Sequence, residues 1–173
     1  SSARLEEILR AQRDRYALAE PFPHAVIDGF FLERFARAIE AEFPPGGEDL
    51  AALCRDPTQW ATSRWNVSWK CFAQPGVQHL KMTTEDEADF GKAMRAAFAT
   101  LKSVTFVAFL EQLTGIPGLI PDPRYRGAGP HQTLSGGQLA VHADFNLHRE
   151  FPHLLRRVNV FIYVTEGWDP AWG

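Results

Sequence analysis

Apolar residues recur at helical spacing over positions 4–19, where Leu5, Ile8, Leu9, Tyr16 and Ala19 form a stripe between charged side chains. The period predicts an amphipathic helix, which Pro21 and Pro23 end. Positions 24–28 read as a strand running into a turn at Gly29. The helical period returns over 32–43, with Leu32, Phe35, Ala36, Ile39 and Phe43 on one face, and the Pro-Pro-Gly-Gly run at 44–47 stops it. Thr83 or Thr84 followed by Glu87 resembles a capped start, predicting a helix to about position 100. A further helix is predicted over 103–114, carrying Val104, Val107, Ala108 and Leu113, with Gly115 as its stop. These helices are expected to pack against the outside of a sheet.

Two stretches change period. Trp65, Val67, Trp69 and Cys71 alternate as a strand does. Together with Trp60, they interleave with Arg64 and Lys70, a pattern that serves core packing, the lining of a substrate mouth, or stacking on bases and sugars. From Gly118 the character turns towards β: 119–123 is extended, 127–130 is a turn, and 131–134 leads on to the Gly136-Gly137 pair. After that pair Leu139 and Val141 alternate with Gln138 and Ala140, predicting a short strand. No internal repeat or low-complexity tract interrupts the chain. One domain over 1–173 is expected, with helical support over 1–116 and the first part of a β core over 117–173.

At 173 residues the chain is long enough to bury a core, and 45% apolar with 23% charged residues is ordinary for a globular protein. A net charge of −3 provides no general basic surface, so no nucleic-acid partner is expected. No apolar run reaches membrane-span length and no signal-peptide pattern opens the chain, so no membrane association and a cytoplasmic location are expected. Free thiols are then expected at Cys54 and Cys71.

The chemistry concentrates in Gly136-Gly137-Gln138-Leu139-Ala140-Val141-His142-Ala143-Asp144-Phe145-Asn146. His142 and Asp144 are two apart, so on an extended strand both side chains point one way and can converge on a cation. His-x-Asp is two-thirds of the two-histidine, one-carboxylate triad that holds Fe(II) with open positions. The spacing alone also describes a surface histidine beside a solvated aspartate.

Downstream runs Arg156-Arg157-Val158-Asn159-Val160-Phe161-Ile162-Tyr163-Val164-Thr165, then Glu166-Gly167-Trp168-Asp169-Pro170-Ala171-Trp172-Gly173. With Gly-Gly ahead of the His-x-Asp pair, this order of motifs resembles the Fe(II)- and 2-oxoglutarate-dependent dioxygenases, in their prolyl-4-hydroxylase-like branch. The resemblance covers about 117–173, and the extended segment at 21–31 is similar to the branch's opening segment. It implies an α+β fold: a double-stranded β-helix (jelly-roll or cupin-like) with packed N-terminal helices. It implies Fe(II), 2-oxoglutarate and O2, with ascorbate in support. The substrate is a small molecule, or a protein or peptide carrying a prolyl or other residue. Catalysis and metal binding fall to His142 and Asp144. Tyr163 matches the tyrosine that meets the distal carboxylate of 2-oxoglutarate, its alternative being an inward core residue. Gln132 lies where the family places a polar residue in the cosubstrate pocket, and Asn159, on the same strand face as Phe161 and Tyr163, is expected to line that pocket as well. An aspartate at 144 implies hydroxylation rather than halogenation, which uses a small residue there.

Arg156 and Arg157 read either as anion clamps or as a solvated strand end. His148 and His153 read as substrate contacts or as solvated loop residues, and His24 as structural. The branch's second histidine and its basic 2-oxoglutarate clamp follow the next Gly-Gly turn. On the resemblance they and the closing strands lie beyond Gly173, so this stretch alone is expected not to couple 2-oxoglutarate decarboxylation. Two other readings stand beside the enzyme: a non-catalytic binding or regulatory module on the same fold, and a cupin-like metalloenzyme with another cosubstrate.

Overall fold

The computed structural model describes residues 2–63, 69–74, 78–122 and 128–172, and eleven short elements lie among these described residues. They are α1 (Ser2–Tyr16), α2 (Glu33–Glu40), α3 (Glu48–Arg55), α4 (Pro57–Thr62), β1 (Lys70–Gln74), β2 (Gln78–Thr83), a 3-10 turn (Glu87–Asp89), α5 (Lys92–Leu101), α6 (Val104–Thr114), β3 (His131–Leu139) and a last 3-10 turn (Pro170–Trp172). By contacts the chain divides into two compact units: Ser1–Ile39 with Lys92–Pro121 and Glu166–Gly173, and Glu40–Gly91 with Asp122–Thr165.

The first unit is helical. The stripe on α1 buries Ile8 against Phe106, Phe109 and Leu113 of α6, with Leu5, Leu9 and Tyr16 packed around them. Ala25, Ile27 and Phe30 join the same cluster, so the alternation over 24–28 reflects inward packing of an extended segment, not a ladder strand. Burying a phenylalanine of this kind stabilises by roughly 1.5–3 kcal/mol. Helix α6 begins where expected because Ser103 Oγ accepts the Phe106 N–H at 3.2 Å. It ends at Gly115, whose φ of 72° places it in the left-handed region. The helix expected from Thr83 or Thr84 is split: Asp86 caps the 3-10 turn by accepting the Ala88 N–H, Thr84 Oγ1 donates to Asp89 at 2.9 Å, and α5 starts only at Lys92.

The second unit holds the sheet, antiparallel throughout, in the order β1-β2-β3. Leu80, Met82 and Leu134 are at most 4% exposed, and α3 contacts both β2 and β3. Cys54 of α3 is bridged to Cys71 of β1, with Cα atoms 5.8 Å apart. The expectation of free thiols is corrected: it rested on compartment, whereas packing brings the two residues together. Helices α3 and α4 lay unread in the sequence. Asp56 caps α4, accepting from the Thr58 and Gln59 N–H groups; the hydrogen bond from the Thr58 hydroxyl leads those holding its carboxyl below the usual range. Trp60 and Trp69 are buried, and Trp69 packs on Phe43 at 5.5 Å, so the core reading holds for both. Arg64, Trp65 and Val67, Pro123 of the extended piece, and Gly127 of the turn lie outside the described residues.

The expected fold class holds in its coarse form, helices with an antiparallel sheet, and the sheet among the described residues is three-stranded. Strand β3 ends at Leu139, and 140–145 and 157–165 form no strand ladder among the described residues. Extended backbone becomes strand only where a neighbour takes its N–H and C=O groups. The Gly136-Gly137 pair sits inside β3, where Gln138 pairs with His79 and Thr133 with Lys81, leaving 134–137 as a bulge. Gly136 has φ 73°, and a Cβ on Gly137 would lie 2.7 Å from Leu134 O, so the bulge requires both glycines.

Candidate metal centre

Past the bulge, the chain carries His142 and Asp144 without a ladder to align them, and a local hydrogen bond does that work instead. His142 Nδ1 lies 2.7 Å from the Ala140 carbonyl oxygen. A carbonyl only accepts, so Nδ1 carries a proton and Nε2 is the nitrogen left for a ligand. That Nε2 lies 3.9 Å from Asp144 Oδ1, each side chain being 40% exposed. A backbone carbonyl holding the far nitrogen is the support that metal-binding histidines use.

Asp144 is held from the other side. Asn159 Nδ2 donates to its Oδ2 at 3.0 Å, and Arg156 Nη1 is 3.4 Å from its Oδ1. Arg156 Nε in turn donates to Asn159 Oδ1 at 2.6 Å, and its guanidinium lies over the Phe145 ring at 4.9 Å. Arg156 is therefore neither an anion clamp standing free nor a solvated strand end. Asn159, expected in the cosubstrate pocket, meets the carboxylate itself.

Gln132 is placed elsewhere. It alternates with His131 and Thr133 along β3, pairs with Met82 and donates from Nε2 to Pro44 O at 3.0 Å. It lies on the buried face of the sheet. Tyr163 is 89% exposed, which rules out the inward core alternative. His148 is buried, correcting the solvated-loop reading. Its Nδ1 accepts the N–H groups of Glu150 and Phe151, and Nε2 lies 3.3 Å from Asp122 Oδ1. Both ring nitrogens are engaged, so it is a structural histidine. His153 is exposed, and His24 donates from Nδ1 to Phe22 O.

Two residues were missed in the sequence, His131 and Lys81. Desolvation pushes the His131 imidazole down to about 4, the charge of Lys81 adds to this, and Asp144 opposes it. Lys81 is itself lowered by desolvation, again with Asp144 opposing. Both therefore stand within the electrostatic reach of the Asp144 carboxylate. Alternation around β2 could have flagged Lys81, had the strand been read.

Among the described residues, no group of three His, Cys, Asp or Glu side chains is placed to hold one ion. His142 Nε2 and Asp144 Oδ1 fit two positions of an iron site: an imidazole nitrogen and a carboxylate oxygen facing it. A cleft of about 690 Å³ lined by Pro45, Gly47, Asp49, Gln59 and Thr62 contains none of the residues singled out in the sequence. No single described helix is long and apolar enough to cross a membrane. No protein-family model, no curated protein and no solved structure matches the chain.

Proposed function

We propose that the chain belongs to an Fe(II)- and 2-oxoglutarate-dependent oxygenase of the prolyl-hydroxylase-like group, built on a double-stranded β-helix. Its substrate is a prolyl or other residue of a protein, or a small metabolite. The observation that carries the reading is the Nδ1–H bond of His142 to Ala140 O, which leaves Nε2 3.9 Å from Asp144 Oδ1. The order of sequence motifs around that pair supports it. When bound, Fe(II) with 2-oxoglutarate supplies O2 activation and hydroxylation of an unactivated C–H bond, with release of succinate and CO2. The chain's own residues position and charge-balance the site. Ala140 fixes the His142 tautomer, Asn159 orients Asp144, and Arg156 offsets the carboxylate charge until a cation replaces it.

The second reading, a binding or regulatory module without turnover, draws on the Arg156–Asp144 pair, which already neutralises the carboxylate. Anaerobic titration of the full-length protein with Fe(II) and 2-oxoglutarate separates the two. The oxygenase predicts a weak visible charge-transfer band, abolished by His142→Ala and by Asp144→Ala while the circular dichroism spectrum stays unchanged. An undiminished band in both variants removes them from the site. Metal-independent binding of a partner, with no band in the wild type, selects the module.

A further inference from the structure

Strand β1 is an edge of the described sheet, and its register on β2 sets Cys71 opposite Met82, which is fully buried. Cross-strand partners share a face, so Cys71 stands on that buried side, from which the bridge reaches Cys54 of α3. The ladder holds the Cys71 end. The Cys54 end is held less firmly. Helix α3 has eight residues, short of the roughly 12–15 that a helix needs to persist without tertiary support. Its N-cap, Gly47, makes no side-chain cap bond. Its buried residues, Leu50 and Ala51, lie in its first half, whereas Cys54 lies in its last turn beside Arg55, whose Nη2 reaches Ser135 O at 3.5 Å. The bridge supplies the covalent hold on that last turn.

Cys54 and Cys71 are the two cysteines of residues 1–173, so within this stretch the pair has two states, bridged and dithiol. Neither residue is fully buried, and exchange with an external thiol requires that access. The bridge closes a loop over a separation of 17 residues that includes α4, and opening it returns chain entropy to that loop. Leu50 and Leu53 of α3 line the cleft over 45–63 together with Gln59 and Thr62 of α4, so a change at the bridge reaches the cleft. The cores stay packed without either cysteine: Leu80, Met82 and Leu134 in the sheet, and Ile8, Phe106, Phe109 and Leu113 in the helical unit.

We propose that Cys54 and Cys71 form a thiol–disulfide switch: reduction by an external dithiol frees the last turn of α3 from β1 and loosens the cleft, and oxidation locks both. A thiolate of the dithiol attacks one sulfur of the bridge. The electron pair of the S–S bond leaves on the other sulfur, which takes up a proton. The dithiol's second thiol then displaces the first cysteine, which also leaves as a thiol. The cysteine pair gains two electrons and two protons, and the dithiol ends as a disulfide. The switch does not rest on the oxygenase reading.

The full-length protein is equilibrated at graded ratios of reduced to oxidised dithiothreitol. Free thiols at Cys54 and Cys71 are read by alkylation and peptide mass mapping, and amide hydrogen exchange is followed in the same samples. A reversible transition from bridged to dithiol is expected while the protein stays folded. Across it, exchange of the α3 and α4 amides is expected to speed up at least about tenfold, while that of α1 and α6 stays within about twofold. Reoxidation is expected to restore the slow rate, and Cys54→Ser to keep the fast one under oxidising conditions. Equal α3 exchange in the bridged and dithiol forms overturns the switch. Reduction that occurs only as α1 and α6 also lose protection overturns it too, because the bridge is then a structural staple. Free thiols at both positions at every ratio do the same.

Discussion

Asn159 Nδ2 donates to Asp144 Oδ2 at 3.0 Å, joining two residues fifteen positions apart. The bond takes one carboxylate oxygen and leaves Oδ1 towards His142 Nε2 and Arg156. It links the His-x-Asp segment to the Arg-rich segment without a strand ladder, and the 2.6 Å bond from Arg156 Nε to Asn159 Oδ1 continues it. Close by, Leu147 bridges Leu155 in antiparallel fashion, which brings the two segments into range.

Asn159→Ala is expected to weaken Fe(II) or cobalt(II) binding by about ten- to a hundredfold, the usual effect of losing a residue that orients a ligand. Isothermal titration under anaerobic conditions measures it. Unchanged affinity would mean that Arg156 alone orients the carboxylate.

Tyr163→Phe separates packing from binding. With 89% of the residue exposed, folding stability is expected to change by no more than about 0.5 kcal/mol in urea titration. If its hydroxyl meets the distal carboxylate of 2-oxoglutarate, cosubstrate affinity falls about ten- to a hundredfold, with metal affinity unchanged. Identical cosubstrate affinity in both proteins removes Tyr163 from that role.

His131 makes stability depend on acid pH. Above about pH 6.5 its imidazole is neutral in both folded and unfolded chains. Below that the unfolded chain takes up a proton that the folded chain refuses until about pH 4, so stability falls as pH falls through this window. The contribution is on the order of 1 kcal/mol because the residue keeps solvent contact. His131→Gln is expected to flatten the pH dependence of Cm between these limits, and an unaltered slope would show that desolvation of His131 is slight.

In the helical unit, Ser103→Ala is expected to cost about 1 kcal/mol by removing the cap on Phe106 N–H, and Phe109→Ala about 3–5 kcal/mol by opening a cavity. Urea midpoints give both. A cap effect equal to the cavity effect would contradict the burial pattern.

Helix α6 and the stripe on α1 were legible in the sequence because an apolar face at a period of 3.6, a serine cap and a glycine stop are all local signals. The His-x-Asp pair was legible as chemistry for the same reason, since two donors of the right kind stood two residues apart. The strand around that pair was not, because a ladder depends on a partner elsewhere in the chain. Residues 140–145 and 157–165 read as strand in the sequence yet form no ladder among those described. Tertiary structure also decided the orientation of single side chains. Gln132 and His131 are adjacent in sequence and lie on opposite faces of β3, the first bonded to Pro44 and the second facing the field of Asp144. His148 reads as a loop residue until Asp122 and the Glu150 and Phe151 amides enclose it. Cys54 and Cys71 could be joined only once α3 lay against the sheet. Periodicity and spacing are properties of neighbours along the chain, whereas burial, charge environment and pairing come from distant residues that only folding brings together.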